Sequence, residues 1–373
     1  MNVILIFTYG ISLKKWSESG LIDRELELYK ELEKINGVNF TFVTFGDEED
    51  EVFKNKINNL KILPIYKYTS KSKFKFINFI KTLFVPFKLY KDIKNPDLIK
   101  TNQLNGSWVA IVLKFILKIP LIIRTGYNLF EFSVKEKKPI VIRIFNFCLT
   151  QFALIFSNIY IVTSNEDKKY LEDKFLYTKN IEVVPNWVKN TRKTNIKNRY
   201  NNKVLSIGRL EKQKNYEELI FSLTNSEIQL DIVGNGSLKK NLLELSNKCN
   251  TNLKIIEKIP HLELLDFYTK YKIFVLTSTF EGNPKVVLEA MSAGTLVIAY
   301  GNKNIEEIIT HKENGILFYE YKEIENLINY YLSNESKREK IINRAYETIS
   351  LNNLISVIRN KEYGIYKELI KLT

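Results

Sequence analysis

Two glutamates, Glu281 and Glu289, stand eight residues apart in the run Ser278-Thr-Phe-Glu-Gly-Asn-Pro-Lys-Val-Val-Leu-Glu-Ala-Met-Ser-Ala-Gly294. An apolar strand, Ile273 to Thr277, leads into this run. Asn283 is the expected N-cap of a following helix and Pro284 its first residue, because proline has no N–H to leave unpaired there. Gly294 is the expected stop. The first acid then lies in a loop at the carboxyl end of a strand, and the second lies inside the helix. Helix N-termini attract phosphate through their free N–H groups and the macrodipole. A carboxylate on either side of such an anion pocket suits a ligand with hydroxyls at both ends and phosphates between them. A nucleotide sugar has that shape. A second group follows another strand end: Gly208, Arg209 and, five residues on, Lys214. Arg can hold a diphosphate bidentately and Lys adds a mobile point charge. Taken alone, this pattern is also what ordinary surface charge looks like. Val233-Gly234-Asn-Gly236 is a further glycine-rich turn of a kind common in α/β proteins.

The elements that must position these groups alternate between short apolar strands and amphipathic helices. Strands are expected near Val3 to Phe7, Asn39 to Phe45, Leu98 to Thr101, Leu121 to Thr125, Ile159 to Thr163 and Glu182 to Val184. Helices between them include Leu21 to Ile35, Phe76 to Ile93, Ser107 to Leu117 and Val141 to Phe156. The rhythm breaks over the polar, basic stretch Pro185 to Arg199, the best linker candidate. A second series then begins near Val204 and runs through Leu230 to Val233, Lys254 to Glu257, Ile273 to Thr277, Val297 to Ala299 and Ile316 to Phe318. Three helical patterns close the chain. Continuous apolar strands separated by helices predict parallel, doubly wound sheets, two of them. Ligands of such sheets bind at strand carboxyl ends and between domains. The expected domains are 1–188 and 189–352, with the helix 353–373 packing back toward the first.

At 373 residues, two domains are the natural expectation. Charged residues make up 26% and hydrophobic ones 45%, which fits a folded soluble chain rather than a disordered one. The two cysteines, Cys148 and Cys249, both read as core residues, so no disulfide framework is expected and a reducing cytoplasm fits. The two histidines, His261 and His311, are too few for a histidine-rich metal site. The N-terminus reads as a first buried strand, without the basic and small-residue features of a secretory signal. Ile144 to Asn165 carries no charge and is long enough to span a membrane. A helix followed by a core strand explains it better, because Asn158-Ile-Tyr-Ile-Val-Thr-Ser164 is β-rich.

The net charge of +14 is uneven. Residues 61–150 hold 17 Lys and Arg against 4 Asp and Glu. This excess is either a solvated basic surface or an attraction to an anionic membrane. The stretch Lys71 to Tyr90 favours the membrane, since it mixes bases with large apolar groups. No recognised nucleic-acid module is present, so no nucleic-acid partner is expected.

Ser206-Ile-Gly-Arg-Leu with Lys214, Ile232-Val-Gly-Asn-Gly and the Glu-x7-Glu run occur in an order and spacing that resembles the retaining glycosyltransferases of family 4. Val184-Pro-Asn-Trp-Val188 and Asn314-Gly-Ile-Leu resemble further segments of that family. A weaker match lies over Tyr9 to Glu25. The resemblance implies a GT-B fold: two Rossmann-like domains facing each other across a cleft, the first for the acceptor and the second for the donor. It implies that Arg209 and Lys214 bind the donor diphosphate, that Glu281 supports developing positive charge on the sugar, and that Glu289 accepts from ribose hydroxyls. Gly208, Gly234, Gly282 and Asn283, with the N–H groups of Lys285, Val286 and Val287, would line the donor. Gly10 would let the first loop come close to it. No metal or cofactor is implied.

Three departures matter. Pro284 stands where many members have glycine, which removes one N–H. The strand end Lys100-Thr-Asn-Gln lacks the family's histidine, with Asn102 and Gln103 as replacement candidates on the acceptor side. Tyr300-Gly-Asn-Lys replaces a glycine-rich loop. Asp23 and Glu25 read as the solvated first turn of a helix rather than as a catalytic base. The expected activity is transfer of a sugar from a nucleotide diphosphate sugar to a glycan acceptor, lipid-linked by preference, in cell-surface polysaccharide or glycolipid assembly. The expected place is the cytoplasmic face of the plasma membrane. A nucleotide-sugar epimerase or phosphorylase, or a non-catalytic binding protein, are the competing readings.

Overall fold

The computed structural model describes residues 1–189, 199–257 and 259–372, the side chains of Lys75, His261 and Leu262 excepted. The chain divides into two compact units, Met1–Val184 with Arg359–Thr373, and Pro185–Ile358. Most of the linker expected over 185–199 lies outside the described residues.

In the first unit, seven strands form one sheet: β1 (Asn2–Ile6), β2 (Asn39–Thr44), β3 (Lys61–Pro64), β4 (Leu98–Thr101), β5 (Leu121–Arg124), β6 (Ile159–Val162) and β7 (Ile181–Val183). Their order is β3-β2-β1-β4-β5-β6-β7 and every pairing is parallel. The direction of winding reverses between β1 and β4, which makes the carboxyl ends of those two strands the natural ligand position. β3 is absent from the strands expected above. It is short, opens on a lysine and closes on a proline, which only an edge position tolerates. The helix expected over Phe76 to Ile93 is also broken. Lys75–Phe84 stops before Pro86, which opens a short second helix, Pro86–Leu89. A proline ring cannot continue the helix behind it.

The second unit builds its sheet from β8 (Lys203–Ile207), β9 (Gln229–Val233), β10 (Leu253–Ile256), β11 (Ile273–Leu276), β12 (Leu296–Tyr300) and β13 (Ile316–Phe318), ordered β10-β9-β8-β11-β12-β13 and again all parallel. Successive residues of one strand enter different cores. Leu205, Phe274, Leu276 and Val297 pack on one face, and Val204, Ile273, Val275 and Ile298 on the other. Both faces are therefore covered, as a parallel sheet requires. The switch point here lies between β8 and β11.

The helix after β11 is Lys285–Ser292, with Pro284 at the N-cap. That corrects the expectation of Asn283 as cap, for a reason given below. Gly294 follows the C-cap in the left-handed region, φ +68°, as a helix stop demands. Arg199, buried, donates to the carbonyls of Ala293, Gly294 and Tyr271 and so closes that helix end from outside. Both cysteines are free. Cys249 is half-buried and Cys148 is exposed, which overturns the reading of Cys148 as core. Among the described residues no helix is long and apolar enough to cross a membrane. The uncharged run 144–165 divides between the helix Ile140–Phe156 and β6.

Candidate functional site

The two residue groups that could do chemistry follow the two strands flanking the second switch point. Gly208, Arg209 and Lys214 come after β8, and the Ser278–Pro284 loop comes after β11. Hydrogen bonds to backbone carbonyls bind one loop to the other. Thr279 N–H donates to the Gln213 carbonyl at 3.1 Å, Gln213 Nε2 donates to the Phe280 carbonyl at 2.8 Å, and the Thr277 hydroxyl donates to the Lys214 carbonyl at 2.8 Å. This stitching carries Lys214 to Glu281, and Lys214 Nζ bonds Glu281 Oε1. Glu281 is 8% exposed. Among the described residues Lys214 is its one hydrogen-bonding partner, so the carboxylate keeps acceptor capacity for a ligand hydroxyl. Arg209 is exposed at the same strand end and makes no ion pair among the described residues. Gly234 ends the neighbouring strand. A Cβ there would lie 1.9 Å from the Gly208 carbonyl oxygen, so only glycine lets the two turns meet.

Glu289 lies inside the Lys285–Ser292 helix and is buried, at 3% exposure. The Tyr268 hydroxyl approaches both Glu289 Oε2, at 3.3 Å, and the Val286 carbonyl, at 3.2 Å. Val287 N–H already donates to the Pro284 carbonyl at 3.1 Å, so of the three N–H groups expected to face a ligand this one is engaged. Asn283 does not cap the helix because its side chain is occupied elsewhere. Asn283 Oδ1 accepts from the Asn186 N–H at 3.0 Å, and the Asn283 carbonyl accepts from Asn186 Nδ2 at 2.5 Å. The Asn186 carbonyl in turn accepts from Asn353 Nδ2 at 2.9 Å. Lys285 Nζ sits 4.2 Å from the centre of the buried Trp187 ring, a cation–π contact. Asn186, Trp187 and Tyr268 are therefore part of the site, and sequence reasoning passed over them. The Pro185-Asn-Trp-Val188 segment carries a family resemblance, but nothing local ties it to a loop about a hundred residues away.

In the first unit, Gly10, Asn102 and Gln103 gather at the carboxyl ends of β1 and β4. Gly10 has φ +73° with open space where a Cβ would stand, so glycine is needed for conformation and not for packing. Asn102 is buried, and its Oδ1 lies 3.4 Å from the Tyr29 hydroxyl. Gln103 Oε1 accepts from Gly126 N–H at 2.8 Å. Asp23 and Glu25 sit in the first turn of the helix Ile22–Asn36, where Asp23 pairs with Lys56 and Glu25 with Arg24. They hold no position in either group. His311 is exposed and accepts from Leu317 N–H on Nδ1 at 3.0 Å. The side chain of His261 lies outside the described residues. Among the described residues no three His, Cys, Asp or Glu side chains gather where they could hold a metal ion.

Two family models meet end to end on this chain. The model described as glycosyltransferase family 4 matches residues 26–192, and that described as glycosyl transferases group 1 matches residues 188–348. The chain belongs to the family 4 glycosyltransferases. The second model covers the second unit's donor-side residues from Gly208 to Glu289, and Asn186 and Trp187 stand just before it. Among curated relatives, this glycosyltransferase is 26% identical over 281 residues to the amylovoran biosynthesis glycosyltransferase AmsD of Erwinia amylovora, covering 71% of this chain and 77% of AmsD. Over a shorter span of 117 residues, 31% of this chain and 32% of the relative, it is 30% identical to a Campylobacter jejuni enzyme. That enzyme is named N-acetylgalactosamine-N,N'-diacetylbacillosaminyl-diphospho-undecaprenol 4-alpha-N-acetylgalactosaminyltransferase. Among solved structures, Anabaena HepE in complex with UDP and glucose matches with a TM-score of 0.75 at 18% identity, covering 99% of this chain and 100% of that one. At that identity the likeness establishes the fold. Both sheets and their windings are those of the GT-B glycosyltransferases.

Proposed function

We propose that this glycosyltransferase moves a sugar from a nucleotide diphosphate sugar to a lipid-linked glycan, retaining configuration at the transferred carbon. The observation that carries this reading is the pair Lys214–Glu281 beside Arg209 at the β8/β11 switch point. The reaction breaks the bond between the sugar's anomeric carbon and the diphosphate oxygen and forms one to an acceptor hydroxyl, whose proton leaves with the phosphate. Charge develops in two places. Arg209 and Lys214 would neutralise the departing diphosphate, and these fixed cations can serve without a metal ion or cofactor. Glu281, tied to Lys214, would face the positive charge growing on the sugar. Glu289, oriented by Tyr268, would accept from the ribose.

The relatives support the substrate classes. HepE was solved with UDP and with UDP-glucose, AmsD is named for amylovoran biosynthesis, and the Campylobacter jejuni enzyme is named for a diphospho-undecaprenol substrate. The basic excess over 61–150 supports a place on the cytoplasmic face of an anionic membrane, where a lipid-linked acceptor would lie.

Calorimetry with UDP-, GDP-, ADP- and CDP-sugars tests the donor. One nucleotide series should bind, and Arg209→Ala should weaken it. Product analysis by NMR then separates transfer from epimerisation and phosphorolysis and reads the anomeric configuration. Transfer that proceeds unchanged in Glu281→Ala and Glu289→Ala would defeat the site assignment. The membrane contact is tested by charge reversal at Lys71, Lys73 and Lys75, which should lower co-sedimentation with anionic vesicles.

A further inference from the structure

Two helices of the first unit bury polar residues while exposing large apolar ones. In Lys75–Phe84, Asn78 and Thr82 are buried while Phe76, Ile77, Ile80 and Phe84 are exposed, Phe76 to 70%. Thr82 Oγ1 accepts from Trp108 Nε1 at 3.1 Å, and Asn78 brackets the backbone of Ser72. In Ile140–Phe156, Asn146 and Thr150 are buried beside Leu149, Ala153 and Leu154, while Val141, Ile144, Phe145, Cys148, Phe152 and Ile155 are exposed. Apart from the adjacent Ile144 and Phe145, those exposed positions recur every three or four residues and form one stripe along the helix. Val141 reaches 73% exposure and Phe152 53%. The two helices are neighbours, with the Phe79 and Phe145 rings 5.6 Å apart. A soluble surface does not ordinarily expose a contiguous apolar face of this extent.

The bases around the face decide what covers it. Lys71, Lys73, Lys88 and Lys91 flank the first helix; Lys137 and Lys138 precede the second, and Arg143 lies in its first turn. A second copy of this chain would bring the same bases against each other in a drying interface, which is unfavourable. A bilayer with anionic headgroups supplies phosphate to the bases and hydrocarbon to the aromatic and branched side chains between them. We propose that the outward faces of Lys75–Phe84 and Ile140–Phe156 enter the boundary between headgroups and acyl chains of an anionic membrane, the second helix lying along it. This rests on the membrane contact in the proposed function and deepens it. The basic segment alone would adsorb to a charged surface, whereas the Ile140–Phe156 stripe would insert.

Cys148 lies within the stripe and can report on it. In a Cys249→Ala background, an environment-sensitive fluorophore on Cys148 is followed with vesicles of equal parts phosphatidylglycerol and phosphatidylcholine. The label should shift to the blue on binding. Ile144→Glu with Phe152→Glu should abolish the shift and weaken partition at least about tenfold. Donor affinity, measured by calorimetry on the same variants, should not move, so failure here is distinguishable from failure of the transferase reading. Vesicle binding with no blue shift and no effect of the double variant overturns insertion and leaves adsorption. A blue shift without vesicles that grows with protein concentration, together with a doubled mass in light scattering, overturns the membrane in favour of self-association. No binding to any vesicle overturns both.

Discussion

Each unit contains a lysine–glutamate pair largely hidden from solvent at a strand of its sheet, and the two pairs do opposite work. Lys100 lies within β4 and meets Glu362 of the helix Ile355–Lys371, both side chains at 0% exposure. The pair is enclosed by further partners. The Tyr366 hydroxyl donates to Glu362 Oε2 at 2.8 Å, Arg124 Nε lies 3.9 Å from Oε1, and the Tyr29 and Tyr366 rings stand 5.5 and 5.6 Å from Lys100 Nζ. Lys214 and Glu281 meet beyond the strand ends of the other sheet, at 12% and 9% side-chain exposure. There the pair is held through the loops' backbone, by the Thr279 N–H and by the Gln213 and Thr277 side chains. The first pair is shut away from solvent by the fold, and its second carboxylate oxygen, Oε1, faces only the Arg124 charge at 3.9 Å. The second leaves acceptor capacity on its carboxylate and has Arg209 exposed at the same strand end. The difference separates an ion pair that closes a core from one that can serve a ligand, although the residue types are the same.

The sharpest way to break this comparison is to remove one member of each pair. Lys100→Met strands a buried carboxylate and should cost about 3–5 kcal/mol of unfolding free energy in denaturant titration. Lys100→Met with Glu362→Leu should recover much of that loss, because the buried charge is gone. Equal stability of Lys100→Met and the parent would show that the pair is not a closed unit. Glu281→Gln should cost less, about 1–2 kcal/mol. Its transfer rate should nevertheless fall by about a hundredfold or more, with the melting temperature reported alongside. A Glu281→Gln enzyme that is fully active but poorly folded would reverse the assignment of the two pairs.

Acid offers a milder separation. Burial pushes the Glu362 carboxyl up, but Lys100, Arg124 and the Tyr366 hydroxyl together bring it below its usual range. A carboxyl lowered in the folded state stabilises fully above its unfolded value and loses that contribution as pH falls through the folded value. Stability of the parent should therefore decline as pH drops below about 4.3, the ordinary glutamate range. Glu362→Gln should show a shallower decline there in thermal melts. Identical pH profiles would mean that Glu362 is not held ionised.

The comparison also explains what could be read from sequence. Glu281, Glu289, Arg209 and Lys214 are legible because apolar runs mark the strands before them, and Gly208 and Gly294 mark where a strand and a helix end. The alternation of strands and helices made both doubly wound sheets legible for the same reason. Glu362 gave no such signal, since its partner lies 262 residues away and a lone glutamate in a helical pattern reads as solvent-facing. The same blindness covers the inverted helices. Periodicity in Ile140–Phe156 shows that faces exist, but not that Asn146 and Thr150 point inward. Cys148 was misplaced with them. β3 was missed because four residues bounded by lysine and proline carry too little pattern.

The smallest expected effect concerns how the Glu281 loop is held in place. Asn186 bonds the backbone and side chain of Asn283, and Asn353 bonds Asn186 in turn. Unlike Lys214, Asn186 contributes no charge to the site, so its effect must come through loop position. Asn186→Ala removes the side-chain bond to the Asn283 carbonyl and leaves the backbone bond to Oδ1 intact. One neutral hydrogen bond is worth about 1 kcal/mol. The loss should therefore appear as a roughly fivefold to tenfold rise in KM for the nucleotide sugar, with kcat changed less. Asn186→Asp keeps the side-chain length but presents an acceptor to a carbonyl, so it should be worse than alanine. If Asn186→Asp instead matched the parent, the Asn186 side chain would not be positioning the loop, and the Glu281 carboxylate would depend on the contacts from Gln213 and Thr277 alone.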